Sequence, residues 1–258
     1  MKRILGNLTL VAGLILLGAL SPFQARARAA RTAPGQAPEQ APSAWQWPVS
    51  TPEEQGLDAG ALAGVVELIR KDEILPWLHY LVIVRHGRLV LEENFHGWGP
   101  GRLHTLQSVS KSFTSALVGI AIARGEFKGV DEKVLDFFPD LPGIANLDER
   151  KSAMRLRDIL TMRTGTDYHE RDPSSPHYQL NRLTSGWDKF YLDRPMLGPP
   201  GQTFNYDSGG VILVSAMLKR RAGMHAHDYA QRHLFKPLGI EKFLWSRNSE
   251  GHTHAGGG

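Results

Sequence analysis

Residues 108–123 read Ser108-Val109-Ser110-Lys111-Ser112-Phe113-Thr114-Ser115-Ala116-Leu117-Val118-Gly119-Ile120-Ala121-Ile122-Ala123. Val109, Phe113, Ala116, Leu117 and Ile120 recur at helical spacing, which predicts a helix over the whole stretch. On the opposite side Lys111, Ser115, Val118 and Ile122 share a stripe, and Lys111 is the only charged side chain of the run. A helix apolar on nearly all sides is expected to be buried. A charge set beside a low-dielectric interior either finds a partner or gives up its proton more readily. Ser108 lies three residues before Lys111, so the two are neighbours on the helix surface. Serine attacks poorly until a base takes its proton, and a desolvated amine is such a base. The helix start also favours negative charge developing on an attacked carbonyl. The same spacing arises from a capping serine followed by a snorkelling lysine; the expected burial favours catalysis.

Upstream, Asp58 is placed to cap a helix Ala59–Arg70 with Leu62, Val65, Val66 and Ile69 on one face. Tyr80-Leu81-Val82-Ile83-Val84 and Leu89 to Phe95 flank a His86-Gly87 turn, which predicts an antiparallel hairpin. From about Thr105 the chain changes to helices joined by loops rich in Pro and Gly. One hairpin does not stand alone in water, and nothing later in the chain clearly supplies its partner strands. The expected class is α/β (α+β), an antiparallel sheet with an all-α subdomain, the sheet incomplete in this chain.

Residues 1–29 have the pattern of a signal peptide: a basic Met1-Lys2-Arg3, an apolar Ile4 to Leu20, and small residues around Arg26 and Arg28 for cleavage. An uncleaved membrane anchor is the alternative. Arg31 to Pro48, rich in Ala, Pro and Gln, reads as a tether, giving a signal over 1–29, a linker over 30–48 and a domain over 49–258. An exported protein, periplasmic or secreted, is expected. The formal charge of +4 is carried by Lys2, Arg3, Arg26 and Arg28 of that leader, so the mature chain is near neutral. Nucleic-acid binding therefore has no electrostatic support. The absence of cysteine excludes disulfides, thiolate catalysis and cysteine zinc sites.

The run Gln107 to Thr114 resembles the nucleophile helix of the penicillin-recognising serine hydrolases: class C β-lactamases, DD-peptidases and their esterase and amide-hydrolase relatives. Within that group it is most similar to the 6-aminohexanoate-dimer hydrolase type. Asp158 to Gly165, Pro199 to Tyr206 and Phe235 to Ile240 resemble later landmarks of the family in the same order. The resemblance covers about residues 49–258 and implies a β-lactamase/transpeptidase-like fold. It also implies Ser108 as nucleophile, Lys111 as its base, no cofactor or metal, and a small-molecule amide or ester as substrate. The family's second motif is Tyr-x-Asn; here it reads Tyr206-Asp207-Ser208. The resemblance gives Tyr206 a proton-exchanging role, where position alone equally allows a core tyrosine with Asp207 or Ser208 capping a helix Gly210–Arg221. Ser208 lacks the amide that would grip an acylamino group, which speaks against β-lactams.

The third motif, Lys-Thr-Gly or His-x-Gly on a strand, is not found where it is expected. His254-Ala255-Gly256 fits by composition but follows Tyr206 too soon, in a Gly-rich tail read as a loop leading into missing sequence. Ser208 and Tyr168 are candidate substrate contacts, with surface packing the favoured role for Tyr168. His252 and His254 are expected in solvent rather than on a metal. The expected reaction is two-step acyl transfer to water. Its rivals are a non-catalytic ligand- or wall-binding relative and an inactive incomplete gene product.

Overall fold

The computed structural model describes residues 46–257. The expected signal peptide, nearly all of the linker and any membrane anchoring through them lie outside the described residues. Among the described residues no helix is long and apolar enough to cross a membrane.

Asp58 caps α1 (Ala59–Arg70), its carboxylate accepting the Ala61 N–H at 2.9 Å. The chain then runs into β1 (Tyr80–Arg85) and β2 (Arg88–Asn94), which pair antiparallel with Arg85 opposite Arg88. His86 and Gly87 have φ of 50° and 73°, the left-handed pair that a tight hairpin turn requires. Val66 and Ile69 of α1 pack with Phe95, Leu81 and Leu91, so the helix covers the sheet's apolar face. Val49 bridges to Leu89, where the chain enters the fold. The hairpin is the one sheet among the described residues.

A 3-10 turn (Gln107–Val109) leads into α2 (Ser110–Ala123). The helix is as expected; its burial is not. Ser110, Thr114, Leu117, Val118 and Ala121 form the buried face. Val109, Ser115, Ala116 and Gly119 are exposed, and Lys111 is half-buried. The buried face is rotated because two small hydroxyls are satisfied on carbonyls: Ser110 donates to Gln107 O at 2.6 Å and Thr114 to Ala255 O at 2.8 Å. A polar count assigns such residues to solvent, but a hydrogen-bonded hydroxyl is cheap to bury.

Six further helices form the α subdomain: α3 (Glu149–Ala153), α4 (Leu156–Leu160), α5 (Pro176–Arg182), α6 (Trp187–Leu192), α7 (Ser208–Ala222) and α8 (Ala226–Ala230). At their centre lies α7, buried from Ser208 through Leu218 and packed with Leu117, Val118, Leu156, Ile159, Leu180 and Tyr191. Gly209 permits that depth, since a Cβ there would stand 2.4 Å from the Tyr168 ring and 2.7 Å from the Tyr191 ring. Lys219, Arg220 and Arg221 close the helix, where cations suit the dipole.

The final segment returns to α7. Arg247 bridges to Thr253. The Thr253 N–H donates to Ser215 Oγ at 2.8 Å, and Thr253 Oγ1 accepts the His227 N–H at 2.9 Å. Residues 253–257 thus form a strap packed on α2 and the start of α7, with Thr253 and Ala255 fully buried. The segment is irregular, as expected of a loop, but it corrects the expectation that His252 and His254 sit in solvent. Backbone carbonyls of a Gly-rich strap serve here as acceptors for α2 side chains, a use that leaves no hydrophobic periodicity.

Candidate active site

Ser108 follows Gln107, whose φ of 47° is left-handed; for a residue with a Cβ that conformation costs about 1–2 kcal/mol. The turn presents Ser108 at the surface, one turn before Lys111. Lys111 Nζ lies 3.1 Å from Ser108 Oγ and also donates to the carbonyl oxygen of Gly256. Only a glycine reaches that position: a Cβ on Gly256 would lie 2.5 Å from the Ser208 carbonyl oxygen.

Tyr206 arrives from the segment that precedes α7. That segment is pinned to the turn after α4, with Gly201 N–H on Arg163 O at 2.7 Å and Asn205 N–H on Met162 O at 2.9 Å. The Tyr206 hydroxyl donates to Ser108 Oγ at 2.6 Å, and its ring centroid lies 4.8 Å from Lys111 Nζ. Ser108, Lys111 and Tyr206 therefore meet on one oxygen.

Behind Tyr206, Asp207 is buried and caps α7 by accepting the Gly210 N–H at 2.8 Å. It also accepts from the Tyr191 hydroxyl at 2.5 Å and from Thr164 Oγ1 at 2.9 Å. Burial pushes its carboxyl up to about 6, against the three donors that favour the ionised form. The cap falls on Asp207, and α7 starts two residues earlier than expected.

A cavity of about 350 Å³ opens beside Ser108, lined by Ser108, Glu170, His177, Asn181, Ser208 and His254. Ser208 is buried and reaches this wall; its N–H donates to Glu170 Oε1 at 2.8 Å. Tyr168 does not line it. Its side chain is fully buried, wedged against Gly209 and Tyr191, with its hydroxyl 3.1 Å from His177 Nδ1. Tyr168 is core, because its polar tip has a partner inside the protein. His254 is also largely buried, and burial lowers its imidazole to about 4, helped by the charges of His177 and Lys111. His252 packs on His225 with ring centroids 5.3 Å apart, while His254 faces Asn181. Among the described residues no cluster of three metal-ligating side chains forms. Glu170, on a loop without periodicity, and His177 and Asn181, on the short helix α5, carry no sequence signal; His254 and Gly256 lie in a three-residue pattern that spacing argued against.

A family model described as Beta-lactamase matches residues 53–257. The chain belongs to the β-lactamase family. This β-lactamase-family chain is 25% identical over 173 residues to the 6-aminohexanoate-dimer hydrolase of Paenarthrobacter ureafaciens, covering 62% of this chain and 42% of that protein. It is 26% identical over 150 residues to the monacolin J acid methylbutanoyltransferase of Aspergillus terreus, covering 52% of this chain and 36% of that protein. The match thus spans less than half the length of these curated relatives. Among solved structures, a 6-aminohexanoate-dimer hydrolase-like protein from Bacillus anthracis superposes with a TM-score of 0.62 at 15% identity, covering 83% of this chain and 58% of that one. A β-lactamase/D-alanine carboxypeptidase from Yersinia pestis gives 0.54 at 17% identity, over 69% and 57%. The β-lactamase/transpeptidase-like fold is thereby shown, its antiparallel sheet two-stranded among the described residues.

Proposed function

We propose that this chain carries the nucleophile, base and tyrosine of a serine hydrolase that cleaves a small amide or ester through an acyl-enzyme on Ser108. The observation that carries the reading is the convergence of Lys111 Nζ and the Tyr206 hydroxyl on Ser108 Oγ, at 3.1 and 2.6 Å. Either group is within reach to take the serine proton as Oγ bonds to the carbonyl carbon. The Gly256 carbonyl oxygen accepts one Lys111 N–H and so orients the amine beside Ser108. The proton then passes to the leaving amine or alcohol as the carbon–heteroatom bond breaks. In the second step the same groups deprotonate water, which attacks the ester carbonyl, and Ser108 recovers its hydrogen. The names of the relatives, a hydrolase acting on an amide dimer and an acyltransferase, agree with a common acyl-enzyme chemistry.

The test is covalent labelling with a fluorophosphonate. Wild type is expected to be labelled and Ser108→Ala not; equal labelling of both overturns the reading. A relative that binds without turnover is distinguished by one equivalent of acyl group taken up from p-nitrophenyl acetate with no further release. Export to the periplasm or medium is part of the proposal, and N-terminal sequencing of the secreted chain tests it.

A further inference from the structure

The wall of the cavity that carries His254 is a continuous run of hydrogen-bonding side chains that the serine, lysine and tyrosine do not use. His254 Nε2 lies 2.8 Å from Asn181 Oδ1. Asn181 Nδ2 lies 3.0 Å from His177 Nε2. His177 Nδ1 lies 3.1 Å from the Tyr168 hydroxyl and 3.8 Å from Glu170 Oε2. Glu170 Oε1 accepts the Ser208 N–H at 2.8 Å. At the other end His254 Nδ1 meets the Gly257 carbonyl oxygen. The run begins one residue beyond the carbonyl that holds Lys111 and ends two residues beyond Tyr206.

Donor counting assigns the protons. A singly protonated imidazole has one N–H, and a carbonyl oxygen only accepts. The His254 proton therefore belongs on Nδ1, donated to Gly257 O, and Nε2 must receive one. Asn181 supplies it when its NH₂ faces His254 and its oxygen faces His177 Nε2–H; the two ends of an amide are assigned from such networks. His177 Nδ1 then accepts from the Tyr168 hydroxyl. Both imidazoles and the Asn181 amide are then paired, and with its imidazole held at about 4 His254 stays neutral in neutral solution.

His254 also closes the turn with its backbone: its carbonyl oxygen accepts the Gly257 N–H at 3.1 Å. Side chain and main chain of one residue thus clamp both polar groups of Gly257, and the Gly256 carbonyl is presented between them. Gly256 has no side chain with which to hold itself.

We propose that His254, braced by Asn181, is a positioning residue that holds the Gly256 carbonyl on Lys111 and so fixes the amine against Ser108. The inference rests on the proposed serine chemistry. Substitutions separate the two imidazole nitrogens. In His254→Asn the side-chain N–H stands where Nδ1–H stood and keeps the clamp; in His254→Gln the amide reaches toward Asn181 and leaves Gly257 O without its donor.

The experiment measures the rate of fluorophosphonate labelling, kcat and KM for p-nitrophenyl acetate, and Tm, in wild type, His254→Ala, His254→Asn, His254→Gln and Ser108→Ala. His254→Ala is expected to slow labelling and kcat by about 10- to 100-fold, the scale of a misplaced catalytic group, with KM little changed. His254→Asn is expected to recover most of that rate and His254→Gln to stay slow. Ser108-dependent labelling of His254→Ala within twofold of wild type overturns the inference alone. So does a His254→Asn rate no better than that of His254→Ala, or a loss of rate that follows Tm across the series. Labelling of Ser108→Ala equal to wild type overturns the serine chemistry, and this inference with it.

Discussion

The amine of Lys111 is held between Ser108 Oγ, three residues before it, and the carbonyl oxygen of Gly256, 145 residues after it. A carbonyl oxygen accepts hydrogen bonds but takes no proton at neutral pH. It orients the amine without competing for a proton.

That contact depends on a backbone passing close to a backbone. In Gly256→Ala the new methyl would meet Ser208 O at 2.5 Å and Ser208 Cβ at 3.1 Å, and neither is the end of a flexible side chain. The strap must move, and the Ser108 labelling rate is expected to fall by about 100-fold with a loss of about 1–3 kcal/mol in stability. Labelling kinetics and urea unfolding read the two effects separately. An unchanged labelling rate would mean that Lys111 does not need its carbonyl.

Tyr206→Phe removes a hydroxyl 2.6 Å from Ser108 Oγ and leaves the ring under Lys111. Tyr206 is 40% exposed, so stability should stay within about 0.5 kcal/mol. Esterase kcat/KM is expected to drop by about 10² to 10³. Retention of most activity at unchanged Tm would assign the proton transfers to Lys111 alone.

Asp207 makes stability depend on pH. Its folded carboxyl sits at about 6, above its unfolded value, so its contribution is fully present below about pH 4 and is lost as pH rises through 6. Wild type is therefore expected to gain on Asp207→Asn by roughly 2–3 kcal/mol as pH falls from 7.5 to 4. Parallel urea titrations across that range check it, and a constant difference between the two proteins would contradict the assignment.

His254 works in the opposite sense. Burial lowers its imidazole to about 4 from the ordinary value of 6.5, so its contribution is present above 6.5 and is lost as pH falls through 4. His254→Asn should flatten the acid side of the stability profile in the same titrations. A steeper loss in the variant would place the acid-sensitive group elsewhere.

Gly209→Ala tests the packing beneath the tyrosine turn. Its Cβ would stand 2.4 Å from one Tyr168 ring carbon and 2.7 Å from another, so about 1–3 kcal/mol of stability should be lost. Much of that loss should return with the second change Tyr168→Ala, a coupling that a double-mutant cycle measures.

Elements whose determinants are local were legible from residues alone. The Asp58 cap, the His86-Gly87 hairpin and the Ser108–Lys111 neighbour pair each depend on a few adjacent residues. Tyr206 was found through family resemblance, since nothing in its own segment points to Ser108. The buried face of α2 was misplaced because Ser110 and Thr114 count as polar until their carbonyl partners are known. Tyr168 was offered to the pocket because the fate of a tyrosine depends on a partner, here His177, nine residues away in the sequence. Gly256 stands in the sequence only within a motif that spacing argues against: its contribution is a main-chain oxygen, and every residue type has one.

The site also has a consequence for folding. Ser108 and Lys111 become neighbours whenever one turn of helix forms, but Tyr206 joins them across 98 residues and Gly256 joins Lys111 across 145. Closing loops of that length costs more chain entropy than winding one helical turn. On the proposed chemistry, a molecule with α2 wound but Tyr206 and Gly256 not yet in place lacks both groups that reach Ser108 and Lys111 from afar.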